Sequence, residues 1–303
     1  MDGYFLMVAY DVKLEDNVIL PETEAIKHDV PAFRGIEYLA YRAELRVLRR
    51  QLLALQEWVV ETGQRVAIVL EGRDAAGKGS IASTITHYLN PSGYEIISQG
   101  IPTPQEMRNW LGHHYKLLPG TGRISVFDRS WYSRALIQPA MGYCTMRQYH
   151  YFMNKVNDWE EELVDEGVTF IKIYLSVSRD SQNLRFRLRQ DSDLQYWKYS
   201  ANDRKVAERW QLLTYFKERM FAVTSTDYAP WVVIESDNKQ QAKLNAVHYI
   251  LTRFEYDGKD LRPELIYQAP DMDMLTDVVV DGVLFTGLNR DQIGILERIL
   301  IHE

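Results

Sequence analysis

The sequence predicts an α/β protein, a parallel sheet sandwiched between two layers of helices. Three observations carry that reading. Short apolar runs alternate with longer amphipathic ones over most of the 303 residues. The apolar runs are nearly unbroken, as strands buried on both faces are. One of them, Val66-Ala67-Ile68-Val69-Leu70, leads into Glu71-Gly72-Arg73-Asp74-Ala75-Ala76-Gly77-Lys78-Gly79-Ser80, a Gly-x4-Gly-Lys sequence that opens a helical run.

In chain order, residues 1–36 look irregular, with turn signals at Asp16-Asn17 and Pro21. Residues 37–60 read as a helix, because Leu45, Leu48, Leu52, Leu55 and Val59 recur at three or four. Strand 65–70 precedes the glycine-rich loop, and a helix runs from Lys78 to about Leu89. Tyr94–Ser98 is a short strand. Pro104 suits the first position of a helix reaching Tyr115. Ile124–Phe127 is a strand ending at Asp128. A long helix spans Met146 to Asp165, and Thr169–Val177 is a β-branched strand. A helix bearing Arg185 and Arg189, a charged stretch, a helix over 203–223, strand Trp231–Glu235 and helix 238–254 complete the alternation. Residues 257–303 differ: Asp281-Gly282 sits at the centre of a possible hairpin, and 290–301 has helical spacing that suits either a subunit contact or a flap over the core.

The loop fixes the chemistry. A Gly-rich turn between strand and helix points backbone N–H groups inward and cradles phosphate, and Lys78 adds charge at the outer phosphate. The common loop ends in Gly-Lys-Ser/Thr, whose hydroxyl binds magnesium. Here Gly79 holds that place and Ser80 follows. Gly72, Arg73, Ala75, Ala76, Gly77, Gly79 and Ser80 are therefore the candidate cradle residues. Phosphoryl transfer also needs a metal holder. Asp128 at its strand tip and Asp74 inside the loop are the candidates, with a helix cap and a turn contact as their structural alternatives. Arg129 and Arg134 follow Asp128 in Asp-Arg-Ser-Trp-Tyr-Ser-Arg and suit phosphate oxygens. Between Arg179 and Arg209 eight basic residues face five acidic ones, a surplus of three in a chain of net charge −7, which reads as a lid or as a solvated helical face. Trp131, Tyr132, Trp197 and Tyr199 fit base stacking or core packing. His113-His114 are poorly spaced for ligands on one helix face.

Composition narrows the rest. Net charge −7 argues against a general nucleic-acid binder. The single cysteine, Cys144, excludes an internal disulfide and fits a reducing, cytoplasmic setting. The N-terminus lacks a basic n-region, so no signal peptide is expected, and no apolar stretch approaches the ~20 residues of a membrane helix.

Leu-Gln-Glu-Trp-Val-Val (55–60), Glu-Gly-Arg-Asp-Ala-Ala-Gly-Lys-Gly (71–79), Phe-Asp-Arg-Ser-Trp-Tyr-Ser-Arg-Ala (127–135), Met-Gly-Tyr-Cys-Thr (141–145), Trp-Lys-Tyr-Ser (197–200) and Ala-Pro-Trp (229–231) resemble the family-2 polyphosphate kinases. The resemblance covers about 37–256 and implies a P-loop kinase-like three-layer α/β/α sandwich with a helical lid at about 185–215. It leaves 257–303 as an extension without a family counterpart. It implies transfer of the terminal phosphoryl of inorganic polyphosphate to a nucleoside mono- or diphosphate (ADP, GDP or AMP), in a homodimer or homotetramer. By the same analogy Asp74 and Asp128 hold magnesium, or manganese in its place, and Lys78 and Arg129 contact the transferring phosphate. Arg134 assists, and Arg185, Arg189 and Lys198 belong to the lid. Gln138 and Gln195-Tyr196 depart from the family pattern and leave the acceptor open. The competing readings are an ATP-dependent kinase of thymidylate-kinase type and a non-catalytic binding protein.

Overall fold

The computed structural model describes residues 38–98, 100, 102–190, 205–206, 209–261, 276–280 and 283–288. Five parallel strands form one sheet in the order β2-β3-β1-β4-β5. They are β1 (Arg65–Gly72), β2 (Tyr94–Ser98), β3 (Arg123–Asp128), β4 (Val168–Ser176) and β5 (Trp231–Glu235). Strand β1 is central, and its neighbours β3 and β4 come from opposite directions of the winding. The crevice at the carboxyl ends of such strands is where open α/β sheets bind ligands.

Two apolar layers enclose the sheet. On one side, α1 (Tyr38–Thr62), α2 (Lys78–Thr86) and α9 (Lys239–Thr252) bury Leu48, Leu55, Val59, Ile81, Leu244 and Val247 against Val66, Ile68, Ile173 and Ile234. On the other, α6 (Met146–Asp165) and α8 (Trp210–Thr224) bury Phe152, Val156, Phe216 and Phe221 against Ala67, Val69, Phe127 and Val233. Successive residues of β1 therefore serve different layers, and its alternation of apolar on both sides follows from the pleat.

Several boundaries differ from the sequence reading. The helix expected over 104–115 is two, α3 (Pro104–Arg108) and α4 (Trp110–Tyr115). Asn109 breaks it by leaving helical φ/ψ (−125, 68) and accepting from the Gly112 N–H. A 3-10 turn, Trp131–Arg134, and α5 (Ile137–Met141) follow β3 where no helix was expected. Helix α7 (Arg179–Gln190) is in place, and the helix expected over 203–223 is described from Trp210. Strands β6 (Thr276–Val280) and β7 (Val283–Leu288) pair antiparallel around Asp281-Gly282, and β7 lies alongside α8. Residues 1–36, Lys198 with most of the lid, Trp197, Tyr199 and the tail helix over 290–301 lie outside the described residues. No helix among the described residues is long and apolar enough to cross a membrane.

Candidate active site

The loop leaves β1 at Gly72, pressed on β4. A Cβ there would sit 2.5 Å from the Leu175 carbonyl oxygen, and φ is +144°, so only glycine fits. Ala75 and Arg129 adopt left-handed φ of 64° and 70°, the non-glycine residues that do so among those described. Strain of that kind concentrates at ligand clamps. Both flank the cradle.

Strand pairing brings the second acid to the loop. Asp128 lies level with Leu70 across β1–β3. Its carboxylate fills the space beside Gly79, where a Cβ would come within 2.9 Å of Asp128 Oδ2. This accounts for the missing hydroxyl of the common loop: the carboxylate of Asp128 occupies the place that a serine or threonine side chain would take. Restoring that residue is thus expected to harm rather than help. Gly79→Ser should lower kcat on the order of 100-fold by displacing Asp128, the scale of an ångström-sized misplacement in a reacting site. Unchanged kcat in steady-state assays would show that Asp128 moves aside freely.

Lys78 is buried, and its ammonium donates to the carbonyls of Gly72 (2.7 Å) and Arg73 (2.9 Å). Burial lowers its pKa, Arg129 lowers it further, and Asp74, Asp128 and Glu71 oppose them. All five charges therefore share one field. Arg129 forms an ion pair with Asp74. The 3-10 turn after Arg129 is capped by Ser130, whose hydroxyl accepts from Tyr132 N at 3.1 Å. The cap of that turn is thus Ser130 rather than Asp128, and Asp74 is paired with Arg129.

Some expected residues have other duties. Arg73 points away from the cradle, donating to Trp210 O (3.0 Å) and Thr214 Oγ1 (2.5 Å) and lying 3.5 Å over the Trp210 ring. Its fork is engaged by α8. Arg185 is engaged likewise. It donates to the carbonyls of Ala75 (2.8 Å) and Ala76 (3.3 Å) and, beyond them, to those of Ser236 and Asp237. Beside it Gln182 donates to Asp74 O at 2.7 Å. Three successive loop carbonyls are held outward by α7, which leaves the N–H sides of those peptides turned the other way. Arg185→Gln should therefore destabilise the fold by at least about 2 kcal/mol, since it strands buried carbonyls. The measurement is denaturant unfolding, and a loss below half of that would relegate Arg185 to a bystander.

Arg134 is held behind the site. It is 1% exposed, donates to Met107 O at 3.2 Å and lies 4.8 Å from the Trp110 ring, under α3 and α4. No described contact joins it to the loop. Arg189 is half-buried beside Phe186. Ser80 is exposed in the first turn of α2, and Ala75, Ala76 and Gly77 form the cradle's turn. Trp131 and Tyr132 are wholly buried among Phe127, Trp159 and Phe170, so core packing is their role. His114 is buried, its pKa pushed down to about 4 by burial, with Nδ1 on Trp110 O.

Other residues at the site carry weight that the sequence reading did not assign. Glu71 accepts from Ser130 N and Oγ, both at 2.8 Å, tying the loop to the turn behind Asp128-Arg129. Burial raises its pKa. An acid closing an apolar strand was the available signal. Behind the turn, Lys172 and Glu160 form a wholly buried ion pair at 2.8 Å. Glu160 also accepts from Trp131 Nε1 (2.9 Å) and Tyr132 OH (2.7 Å).

The donor set suits a hard cation. Asp74, largely buried with its side chain 15% exposed, and the part-exposed Asp128 are carboxylates beside the loop, and Asp128 stands where the common loop places its metal-binding hydroxyl. No group of three or more His, Cys, Asp or Glu placed to hold a metal ion occurs among the described residues, so further ligands would be phosphate and water oxygens.

The sequence pattern of the Polyphosphate kinase 2 family matches residues 36–262. The chain is 38% identical to a GDP-polyphosphate phosphotransferase of Mycolicibacterium smegmatis, over 89% of this chain and 96% of that protein. It is 40% identical to an ADP-polyphosphate phosphotransferase of Pseudomonas aeruginosa, over 71% of each. The crystal structure of Polyphosphate Kinase 2 from Arthrobacter aurescens superposes with a TM-score of 0.67 at 28% identity, covering 77% of this chain and 86% of that one.

Proposed function

The chain belongs to the polyphosphate kinase 2 family, and from that premise we propose that it transfers the terminal phosphoryl of inorganic polyphosphate to a nucleoside diphosphate or monophosphate, reversibly. The single observation that carries the reading at this site is the convergence of Asp74, Asp128 and Arg129 on the buried Lys78 at the mouth of a glycine-rich cradle. Two polyanions must meet there. Cations at the loop offset their repulsion, and a divalent ion held by Asp74 and Asp128 would add to that neutralisation.

The reaction is an in-line displacement. An acceptor phosphate oxygen forms a bond to the end phosphorus of the chain. The anhydride P–O bond behind that phosphorus breaks, and the shortened chain keeps the electron pair. The acceptor oxygen is already ionised, so no general base is required. Loop N–H groups orient the transferring phosphoryl. Lys78 exchanges its two carbonyl partners for phosphate oxygens, and Arg129 turns from Asp74 to the same group. Magnesium, or manganese, held by Asp74 and Asp128 would supply charge neutralisation. Gly72, Gly77, Gly79 and Ser80 line the path.

Incubation of polyphosphate and magnesium with ADP, GDP or AMP, in parallel and without ATP, tests the reading. Formation of the corresponding higher phosphate is expected with at least one acceptor. Activity with ATP as the sole competent donor would instead support a kinase of the thymidylate-kinase type, and no transfer from either donor would support a binding protein.

A further inference from the structure

Charge is divided between the two helical layers. The layer of α6 carries Asp158, Glu161, Glu162 and Asp165 on its surface. The opposite layer has fewer acids, Glu44, Glu57 and Glu61, all on α1. Helices α2 and α9 contain none, and Glu44 is the only one in the first half of α1. What that face shows instead is Arg46, Arg49 and Arg50 on α1 and Lys239 and Lys243, one turn apart, on α9. Helices α1 and α9 pack side by side, and none of these five cations forms an ion pair among the described residues.

Three of the cations, Lys239, Lys243 and Arg49, form a chain of like charges close enough to repel one another. Lys239 feels Arg185, Arg189 and Lys243, and Lys243 feels Arg49, so both ammonium groups, already disfavoured by burial, are held below their ordinary pKa. A run of unpaired like charges costs stability in a chain of net charge −7, where acids are plentiful. The face also reaches the loop, on the side of its carbonyls. Arg185 bridges the loop carbonyls of Ala75 and Ala76 to those of Ser236 and Asp237, immediately before α9. A surface groove lined by Ser181, Arg185, Asp237, Asn238 and Lys239 runs between α7 and α9 at that point. Its acid, Asp237, is engaged by Ser178 N and by Arg185.

We propose that the face formed by Arg46, Arg49, Arg50, Lys239 and Lys243 is a second polyanion site that holds the distal units of the polyphosphate chain whose end lies in the cradle. The proposal rests on polyphosphate as the donor. A linear anion needs a line of point charges with no shape or base readout, and lysine and arginine along two helices supply that. The exposed Tyr88 ring, which could stack on a base, is covered by Arg49 at 5.2 Å. Continuity with the loop favours the substrate's own chain over an unrelated polymer.

The test is the variant Arg46→Gln/Arg50→Gln/Lys239→Gln/Lys243→Gln, whose side chains are all exposed or half-exposed and outside the cradle. With long-chain polyphosphate, KM should rise at least ~10-fold at unchanged kcat, and with tripolyphosphate both constants should stay as in the wild type. Equal KM shifts for the two donors, or none for the long chain, would overturn the proposal. Binding of labelled long-chain polyphosphate across a salt series is the second arm. Loss of four contacts should reduce the salt slope by about 3. If the wild type transfers nothing from polyphosphate, the function reading fails while this arm still decides the site: a variant that binds like the wild type sinks it. Duplex DNA bound as tightly as polyphosphate would overturn the assignment of the face to the donor chain.

Discussion

Asp128→Asn is expected to cut turnover at least ~100-fold with little change in stability. The shape is kept while one carboxylate oxygen becomes an amide nitrogen and the charge is removed, which tests the electrostatic role. Asp128 is half-exposed at the end of β3 and caps no helix, so the fold should change by no more than about 0.5 kcal/mol. A second readout follows from the sign of its effect on Lys78. Asp128 raises the pKa of that ammonium against burial. Removing the charge lowers the pKa, so the alkaline limb of the pH–rate profile should move to lower pH. Near-normal kcat with magnesium at saturating donor would reduce Asp128 to a strand end.

The fold was legible because the sheet is parallel and buried on both faces. Val66–Leu70 and Thr169–Val177 had no polar face to hide, and the helices between them kept their stripes. The break at Asn109 was not, because the choice between continuing a helix and re-capping it turns on one side chain's bond to Gly112. At the site, backbone-driven features were readable: the turn at Gly72, the strand-tip Asp128, the position of Lys78. What arginines do was not. The bracing contacts of Arg73, Arg134 and Arg185 could not be read, since charge and proximity in sequence are the same for a ligand and for a brace. Only the structure supplies the tertiary partners, Trp210 for Arg73, Met107 for Arg134 and the loop carbonyls for Arg185. Gly79 shows the reverse case: an oddity of the motif that became intelligible once Asp128 was seen beside it.

Lys172→Met is expected to destabilise the protein by about 3–5 kcal/mol, the range for removing one partner of a buried ion pair. Lys172 is wholly buried in β4, where Nζ reaches Glu160 Oε2 (2.8 Å), Thr224 O (2.7 Å) and Tyr132 OH (3.0 Å). Methionine fills the stem's volume and leaves Glu160 charged in an apolar core. At roughly 2–4 °C per kcal/mol for a chain of this size, Tm should fall by on the order of 10 °C. The double variant Lys172→Met/Glu160→Gln separates stranded charge from lost packing. Glutamine keeps an oxygen for Trp131 Nε1 and Tyr132 OH, so most of the stability should return. A single variant within about 1 kcal/mol of the wild type in denaturant titration would contradict the claim. The pair also has a bearing on catalysis. Trp131 and Tyr132, which it anchors, directly continue the turn that sets Arg129 in its left-handed conformation and Glu71 against Ser130. Loosening that anchor should therefore lower kcat at temperatures where the variant is still folded, and the double variant should recover activity together with stability.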